Sequence, residues 1–296
     1  MPKGLNKASR LRKLIKDNTI VVPGVFNAIT AMIAERLGFE AVYVSGAGLA
    51  NTSGLPDLGL LSMSEVATQA SVIANSVSIP AIADVDTGFG EVLNVMRTVQ
   101  KLERAGVAAV HIEDQIMPKK CGHLPGKELV STEAMVQKIK GATEARQSPD
   151  FIVIARTDAR AVEGLKGAIK RAQVYAKAGA DIIFPEALES DAEFGRFAKA
   201  IKVPLMANMT EFGKTPYISV KQFEEMGYSI VIFPMTAFRT MTKAVEDALR
   251  ELKKSGTQKK LLPRMHTRQQ IYDIINYNEY EEIDRRLGRS RGQRSR

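Results

Sequence analysis

The chain's single cysteine, Cys121, lies in a segment of cationic and conformationally free residues. This segment reads Lys-Lys-Cys-Gly-His-Leu-Pro-Gly-Lys from residue 119 to residue 127. A lone cysteine is more often a small buried hydrophobic residue, but this one has almost no apolar neighbours. Cationic neighbours lower the pKa of a thiol towards neutrality, so we expect Cys121 to exchange a proton with a substrate. Gly122 and Gly126 could serve as hinges of a loop that closes over that substrate and excludes water.

Two carboxylates, Asp84 and Asp86, are separated by one residue at the end of an apolar run. Side chains at this spacing point to the same side of an extended strand. Carboxylates without neighbouring Cys or His pairs suit Mg²⁺, or Mn²⁺ as an alternative, held by few protein ligands and several waters. Glu113 and Glu186 could complete such a site through water. The alternative is that Asp86 is a turn or helix-capping residue before Thr87-Gly88.

Eight short apolar runs, separated by helix-length segments, predict the elements that position these residues. Gly38, Gly106, Gly179 and Gly227 each follow a predicted helix and precede a strand, where a left-handed residue ends the helix. This repetition, in a chain of 296 residues, favours a (β/α)₈ TIM-type barrel over an open doubly wound sheet, which is the alternative. The predicted strands are Thr19–Val22, Ala41–Val44, Pro80–Val85, Ala108–Ile112, Phe151–Arg156, Asp181–Phe184, Val203–Ala207 and Ser229–Phe233.

Polar residues follow seven consecutive predicted strands, from the second to the eighth. In a (β/α)₈ barrel the carboxyl ends of the strands carry the active site, so we expect these residues to converge. Arg156, Arg239 and Arg268 are candidates for bidentate binding of substrate carboxylates. The residues at the strand ends are Ser45 to Gly48, Asp84, Asp86, Glu113, Asp114, Arg156 to Asp158, Glu186, Asn208, Thr210 and Arg239.

The chain beyond the eighth strand exceeds what a barrel needs. We predict a single barrel domain over residues 1–296, with a C-terminal helical extension at 266–287 that packs against the barrel or is exchanged between subunits. An Arg-rich, disordered tail follows at 288–296. The net charge of +9 is concentrated at the ends, because residues 1–16 and 285–296 each carry six Lys or Arg and no acid. The rest is slightly acidic, so we expect no nucleic-acid partner.

The apolar runs of the sequence are short. None approaches the roughly 18 residues of a membrane span, and the basic N-terminus lacks the apolar core of a secretory signal. One cysteine allows no intrachain disulfide, as is usual in a reducing compartment. We therefore expect a cytoplasmic protein without a membrane partner.

Together these motifs resemble the isocitrate lyase/phosphoenolpyruvate mutase superfamily, from about residue 5 to about residue 285. The matching segments are Ser45-Gly46, residues 54–57 (Gly-Leu-Pro-Asp), residues 84–90 (Asp-Val-Asp-Thr-Gly-Phe-Gly), residues 111–115 (His-Ile-Glu-Asp-Gln) and the Lys-Lys-Cys-Gly-His loop. That loop marks the lyase branch, since the phosphonate mutases have a loop without the cysteine. The short chain is most similar to the 2-methylisocitrate lyases, because isocitrate lyases carry insertions.

The resemblance implies Mg²⁺-dependent cleavage of 2-methylisocitrate, a small polycarboxylate, into pyruvate and succinate by a homotetramer that exchanges its C-terminal helix. It implies that Tyr43 removes the hydroxyl proton and that Cys121 protonates the succinate carbanion, with His123 as a further catalytic residue. Asp84 and Asp86 would bind the metal, with Asp57 and Glu113 acting behind them or through water. The implied substrate-binding residues are Ser45, Gly46, Ala47, Gly122, Arg156, Glu186, Asn208, Thr210, Arg239, Arg268, Phe184, Ile232 and Pro234. Ala47 replaces a glycine of many relatives, which leaves its backbone N–H intact if φ stays negative.

Substrate choice within the resemblance depends on one methyl group, worth about 1–3 kcal/mol. Phe184, Ile232 and Pro234 would contact that methyl, and the chain has no Trp of the kind that fills this region in isocitrate lyases. Isocitrate and 2,3-dimethylmalate remain alternative lyase substrates. A decarboxylase or phosphonopyruvate hydrolase is a further alternative, which Cys121 disfavours. An RNA-binding protein with an inert barrel is disfavoured by the complete set of strand-end residues.

Overall fold

Eight parallel strands form the core of the first of two compact units, Met1–Arg239 and Thr240–Arg296, into which the chain divides. The computed structural model describes residues 6–292. The strands are β1 (Ile20–Val25), β2 (Val42–Val44), β3 (Ala81–Asp84), β4 (Ala109–Glu113), β5 (Ile152–Thr157), β6 (Ile182–Pro185), β7 (Met206–Asn208) and β8 (Ile230–Phe233). The helices of this unit are α1 (Lys7–Asp17), α2 (Ala28–Arg36), α3 (Gly46–Thr52), α4 (Met63–Ser76), α5 (Val92–Arg104), α6 (Thr132–Ala145), α7 (Arg160–Lys177), α8 (Asp191–Ala200) and α9 (Val220–Met226).

The sheet closes on itself. The strands are hydrogen-bonded in the order β6-β5-β4-β3-β2-β1-β8-β7, and a parallel bridge between Ile183 and Leu205 joins β6 to the residue before β7. The predicted (β/α)₈ barrel is therefore confirmed, and the open doubly wound sheet is excluded. The four glycines predicted to end helices all have positive φ, from 86° at Gly227 to 112° at Gly179.

Strand residues alternate between two hydrophobic cores, as a closed barrel requires. Ile152 and Ile154 belong to the inner core, whereas Val153 between them packs with the surrounding helices. Helix α1 contributes Leu11 and Ile15 to the inner core. Their spacing of four residues places both on one face of the helix. The barrel is thus a packed scaffold, and only its strand ends are free to hold a substrate.

The second unit is helical. Helix α10 (Thr236–Ser255) begins in the first unit, and a 3₁₀ segment at Lys259–Arg264 precedes α11 (Arg268–Ile274) and α12 (Tyr277–Gly292). The prediction of a single helix at 266–287 is therefore wrong, because two helices, α11 and α12, cover this segment. Asn276 lies at the break with φ of 55°, a left-handed conformation that Asn tolerates better than most residues.

The predicted tail at 288–296 is only partly described. Helix α12 continues to Gly292, inside the predicted tail, and residues 293–296 lie outside the described part of the chain. No helix between residues 6 and 292 combines the length and the apolar character needed to cross a bilayer.

Candidate active site

A cavity of about 220 Å³ opens at the carboxyl ends of the barrel strands. Most of the predicted site residues meet there, although they come from separate parts of the sequence. The predicted residues that line it are Tyr43, Ser45, Ala47, Asp57, Asp84, Cys121, Gly122, His123, Arg156, Phe184, Glu186, Asn208, Thr210, Pro234 and Arg239. Four predicted residues of the first unit do not line the cavity: Gly46, Asp86, Glu113 and Ile232. Arg268 begins α11 in the second unit, so its role in binding stays a prediction.

Buried polar groups form the floor of the cavity. The Tyr43 hydroxyl lies 2.6 Å from His111 Nε2 and 3.3 Å from Asp84 Oδ2, and its single proton can be donated to either of them. Burial, followed by the charge of Asp84, raises the pKa of Tyr43 well above 10.0. Burial also lowers the pKa of His111 to about 4. Both rings are therefore neutral at pH 7, and one hydrogen bond joins them to the Asp84 carboxylate.

The two aspartates after β3 differ from the predicted geometry. Strand β3 ends at Asp84, whereas Asp86 has φ of 48°, so the two side chains do not project from one extended strand. The turn is held by the Asp86 backbone N–H, which donates to Asp84 Oδ1 at 3.0 Å. Gly88 follows with φ of 91°. The pair stays together because the turn, rather than the strand, brings Asp86 back towards Asp84.

Lys119 neutralises the outer side of this acidic cluster. Its ammonium group contacts Asp57 and lies 2.6 Å from Asp86 Oδ1. Burial opposes ionisation of both aspartates after β3. It raises the pKa of Asp86 to about 6 despite Lys119. For Asp84, interactions with the neighbouring His111 ring and with the charges of Lys119 and Arg156 outweigh burial and lower the pKa.

The acidic cluster fits a divalent cation. Glu113 Oε1 is buried without a hydrogen-bond partner, whereas Glu113 Oε2 and Asp86 Oδ1 have ion-pair contacts with Arg156 and Lys119. Burial raises the pKa of Glu113 well above 4.5. Unsatisfied carboxylate oxygens are costly unless a cation or ordered water meets them. Among residues 6–292 no three His, Cys, Asp or Glu side chains cluster into a complete metal cage. Mg²⁺ keeps several waters and takes only one or two carboxylates, so its binding by Asp84 and Asp86 stays a prediction.

Helix α3 begins beside the acidic cluster. Ser45 caps it by accepting a hydrogen bond from the Gly48 N–H at 3.1 Å. A Cβ atom on Gly46 would lie 2.7 Å from Asp84 Oδ2, so glycine lets this backbone approach the carboxylate. Ala47 is helical, with the negative φ that its replacement of glycine requires.

The loop that carries Cys121 lies over the cavity. A Cβ atom on Gly122 would be 2.3 Å from Glu186 Cγ and 2.7 Å from Arg156 Nη2, so the loop backbone packs directly on the barrel residues. Cys121 is half-buried, and burial raises the pKa of its thiol above 9.0. The predicted lowering towards neutrality is therefore wrong for this closed arrangement.

The cationic residues around Cys121 explain that error, because their charges are directed elsewhere. Lys119 pairs with Asp57 and Asp86. Lys120 donates to the Gly126 carbonyl oxygen at 2.7 Å. The sequence indicated that these charges lie next to the thiol, but in the folded loop each lysine contacts its own acceptor.

His123 ties the tip of the loop to the seventh strand end. Its Nδ1 accepts a hydrogen bond from the Lys214 backbone N–H at 3.0 Å, and its Nε2 lies 2.9 Å from Glu186 Oε1. A Cβ atom on Gly213 would lie 2.6 Å from His123 Nδ1. The imidazole therefore sits against both the barrel and the loop that follows β7.

Arg156 is the main buried cation of the cavity. It lies 3.3 Å from Glu113 and 3.7 Å from Glu186, and it stacks on Phe184 with its guanidinium 5.3 Å from the ring centre. Burial opposes the charge of Glu186, but Arg156 outweighs it and keeps the pKa of that carboxyl below its ordinary value. Asn208 donates to Glu186 Oε1 at 3.2 Å.

The rim of the cavity holds the second cation. Arg239 donates from Nη1 to Thr210 Oγ1 at 3.3 Å and to the Glu211 side chain at 2.7 Å. Its guanidinium also lies 5.5 Å from the centre of the Phe212 ring. Arg239 is thus held in place by the segment after β7 before any substrate arrives.

Three apolar side chains are among those that line the cavity. Phe184, Pro234 and Met235 line it, whereas Ile232 is buried in the inner core and not at the cavity surface. The contact of Ile232 with a substrate methyl therefore stays a prediction. Met235 was missed by the sequence and takes the position beside Ser45, whose Oγ lies 3.6 Å from the Met235 sulfur.

Sequence reasoning also missed two polar residues of the site. His111 is fully buried beneath Tyr43, and a histidine in the middle of an apolar strand was a signal for it. Lys119 was recognised only as a charge near Cys121, because a lysine in a glycine-rich segment gives no indication of its partners. Both were hidden because the contacts span 68 residues between Tyr43 and His111 and 62 between Asp57 and Lys119.

Comparison with known proteins places this cavity among related enzymes. The phosphoenolpyruvate phosphomutase family matches residues 11–253. A 2-methylisocitrate lyase of Aeropyrum pernix is 57% identical over 94% of this chain and 90% of the relative, and one of Bacillus subtilis is 48% identical over 96% and 94%. The crystal structure of a 2,3-dimethylmalate lyase of the PEP mutase/isocitrate lyase superfamily superposes with a TM-score of 0.91, at 38% identity and 96% coverage of both chains.

Proposed function

Because the chain belongs to the phosphoenolpyruvate phosphomutase family, within the PEP mutase/isocitrate lyase superfamily, we propose that it cleaves 2-methylisocitrate to pyruvate and succinate. The name shared by its relatives supports carbon–carbon lyase activity. The observation that carries the proposal is the convergence of a half-buried thiol, a buried tyrosine and two arginines on one cavity. Proton transfer and carboxylate binding are the two tasks that such a cleavage requires.

Tyr43 is the proposed base for the substrate hydroxyl. Since its pKa is raised well above 10.0, it holds its own proton at pH 7 and must pass that proton on as it takes the substrate's. His111 Nε2, which lies 2.6 Å from the Tyr43 oxygen, can receive it in the neutral tautomer that carries the ring proton on Nδ1. The hydroxyl of the substrate would thus lose its proton into a buried relay rather than into water.

Cys121 is the proposed acid at the other end of the reaction. Its raised pKa keeps the thiol protonated at neutral pH, so it can donate a proton to the carbanion that remains when pyruvate departs. Because Gly122 packs against Glu186 and Arg156, the closed loop excludes water from that carbanion. His123 would hold the loop in this position through its contacts with Glu186 and Lys214.

Asp84 and Asp86 would hold Mg²⁺, or Mn²⁺ as an alternative, with Asp57 and Glu113 behind them. When bound, the cation would lower the pKa of the substrate hydroxyl and stabilise the developing carbonyl. Ser45 and the backbone of Gly46 and Ala47 border the same space and would bind a substrate carboxylate. Arg156, Glu186, Asn208, Thr210 and Arg239 would hold the remaining carboxylates, and Arg268 is proposed to complete this set.

The apolar residues that line the cavity support the methylated substrate. Phe184, Pro234 and Met235 offer no hydrogen-bonding group to a polar substituent other than the weak thioether acceptor of Met235. A methyl group buried against them gains about 1–3 kcal/mol. A 2,3-dimethylmalate lyase shares the fold at a TM-score of 0.91, so dimethylmalate is the second candidate substrate.

We also propose that the protein is a cytoplasmic homotetramer whose subunits exchange the C-terminal helices. The support is a set of exposed apolar side chains: Val245, Leu249 and Leu252 along α10, and Tyr280 along α12. Contiguous exposed apolar residues mark interaction surfaces. Light scattering would give the tetramer mass, and a monomer at micromolar concentration would contradict it.

The test of the reaction is product stoichiometry with the wild type and Cys121→Ser. The wild type should release pyruvate and succinate in equal amounts from 2-methylisocitrate in the presence of Mg²⁺. Cys121→Ser should lose about 10²–10⁴-fold in rate, the usual contribution of a positioned acid. Near wild-type turnover by Cys121→Ser would contradict the role of Cys121 as the acid, and a wild type that forms neither product would instead support a decarboxylase or hydrolase.

A further inference from the structure

The loop that carries Cys121 is tied together at its base. We define the Cys121 loop as residues 116–128, which lie between the antiparallel bridge partners Gln115 and Leu129. The Ile116 N–H donates to the Glu128 carbonyl oxygen at 2.8 Å. These bonds fix the two ends of the loop but not the position of its tip over the cavity.

Lys127 connects the tip to the barrel. Its ammonium group contacts the Gly122 carbonyl oxygen and lies 2.8 Å from Asp158 Oδ1. The exposed fractions of the Lys127 and Asp158 side chains are 1% and 0%. A buried cation is costly unless it is paired and hydrogen-bonded. The Lys127 ammonium group is therefore held between the Gly122 carbonyl oxygen and Asp158.

Asp158 holds a residue of the cavity with the same carboxylate. Arg156 donates to Asp158 Oδ2 from Nε at 3.0 Å and to Oδ1 from Nη2 at 3.2 Å. The Asp158 backbone N–H donates to Asp114 Oδ1 at 2.9 Å, which anchors the carboxylate to the end of β4. The Asp158 carboxylate thus holds both Lys127, which contacts the loop tip, and the cavity residue Arg156.

We propose that Lys127 is a positioning residue that, through Asp158, sets the distance between the Cys121 thiol and a substrate held by Arg156. The proposal rests on the proposed lyase function, because that distance matters only if the thiol transfers a proton to bound substrate. Lys127 touches the backbone next to Cys121 and a carboxylate beneath Arg156, and it does not line the cavity. Its effect is therefore on turnover rather than on binding.

The test combines steady-state kinetics on 2-methylisocitrate and Mg²⁺ with hydrogen exchange of the backbone amides of residues 121–126 in the metal-free protein. Lys127→Met removes the clamp, and Lys127→Gln keeps a polar group without the charge. The control is Lys7→Met, since Lys7 also donates to buried carbonyl oxygens, at Ala74 and Val77, but from helix α1. It should leave turnover and loop exchange unchanged.

In Lys127→Met we expect kcat to fall about 10²-fold, the cost of misplacing a reacting group by about 1 Å. KM should change by less than about threefold, and loop amides should exchange about tenfold faster. The kcat and loop exchange rate of Lys127→Gln should fall between those of Lys127→Met and the wild type. If Lys127→Met does not fold, Lys127→Gln alone tests the proposal.

Two results would overturn the proposal. One is loop exchange at the wild-type rate with a lowered melting temperature, which would leave Lys127 a merely structural role. The other is a kcat within about twofold of the wild type. A wild type without lyase activity would contradict the proposed function, and the exchange measurement would still decide whether Lys127 holds the loop.

Discussion

Substitution of Gly122 by alanine tests whether the Cys121 loop acts in its closed position. A Cβ atom at Gly122 would lie 2.3 Å from Glu186 Cγ and 2.7 Å from Arg156 Nη2, whereas ordinary contacts begin at 3.4 Å. Glu186 and Arg156 are buried and held by several partners, so the loop has to retreat. The required displacement is about 1 Å, which costs about 10²-fold in rate or about 2.7 kcal/mol of transition-state stabilisation.

The assay is pyruvate formation from saturating 2-methylisocitrate with Mg²⁺. Gly195→Ala is the matched control, because no atom lies within 4 Å of a Cβ built at this glycine of helix α8. It should keep full activity and gain up to about 1 kcal/mol in the free energy of unfolding. A Gly122→Ala enzyme with kcat within about threefold of the wild type would refute the reasoning, since the chemistry would then not need the closed loop.

Two further predictions concern pH and the metal. Because burial raises the pKa of Cys121 above 9.0, the thiol stays protonated at lower pH, and kcat in the cleavage direction should hold up to about pH 9 and fall above it. A pH profile of kcat that declines between pH 7 and 8 would contradict the buried, protonated thiol. Removal of divalent cations with EDTA should abolish activity, and Mg²⁺ should restore it. Full activity in EDTA would contradict the metal role of Asp84 and Asp86.

The barrel could be predicted from the sequence because its signals are local. Runs such as Phe151–Arg156 have the length and apolar content of strands covered on both faces. Glycines such as Gly227 mark helix ends, where φ must be positive. Since parallel strands in a barrel share one carboxyl edge, the strand-end residues could be gathered into one site before any contact was known.

Errors arose where a side chain's partner is distant in sequence or where the backbone leaves its regular path. The charges of Lys119 and Lys120 were assigned to the Cys121 thiol, but tertiary contacts direct them to Asp57 and Gly126. Asp86 was expected to extend the strand end in the direction of Asp84, but it adopts a left-handed turn, which was the alternative. Propensity and spacing carry no information on such choices, because they are decided by packing against the rest of the barrel.

The second unit shows the same limit. One helix was predicted over 266–287 in the chain left over after the barrel, and the break at Asn276 depends on a single left-handed residue. Asn accepts this conformation but does not require it, so the sequence alone could not place the break.

The most direct test of the central claim is the ratio of kcat/KM for 2-methylisocitrate to kcat/KM for isocitrate, measured with purified protein and Mg²⁺. Pyruvate and glyoxylate are detected from the two substrates, respectively. A ratio above about ten, or about 1.4 kcal/mol, is expected from burial of the methyl group against Phe184, Pro234 and Met235. An equal or reversed preference would contradict the methylisocitrate assignment and the apolar wall as its cause.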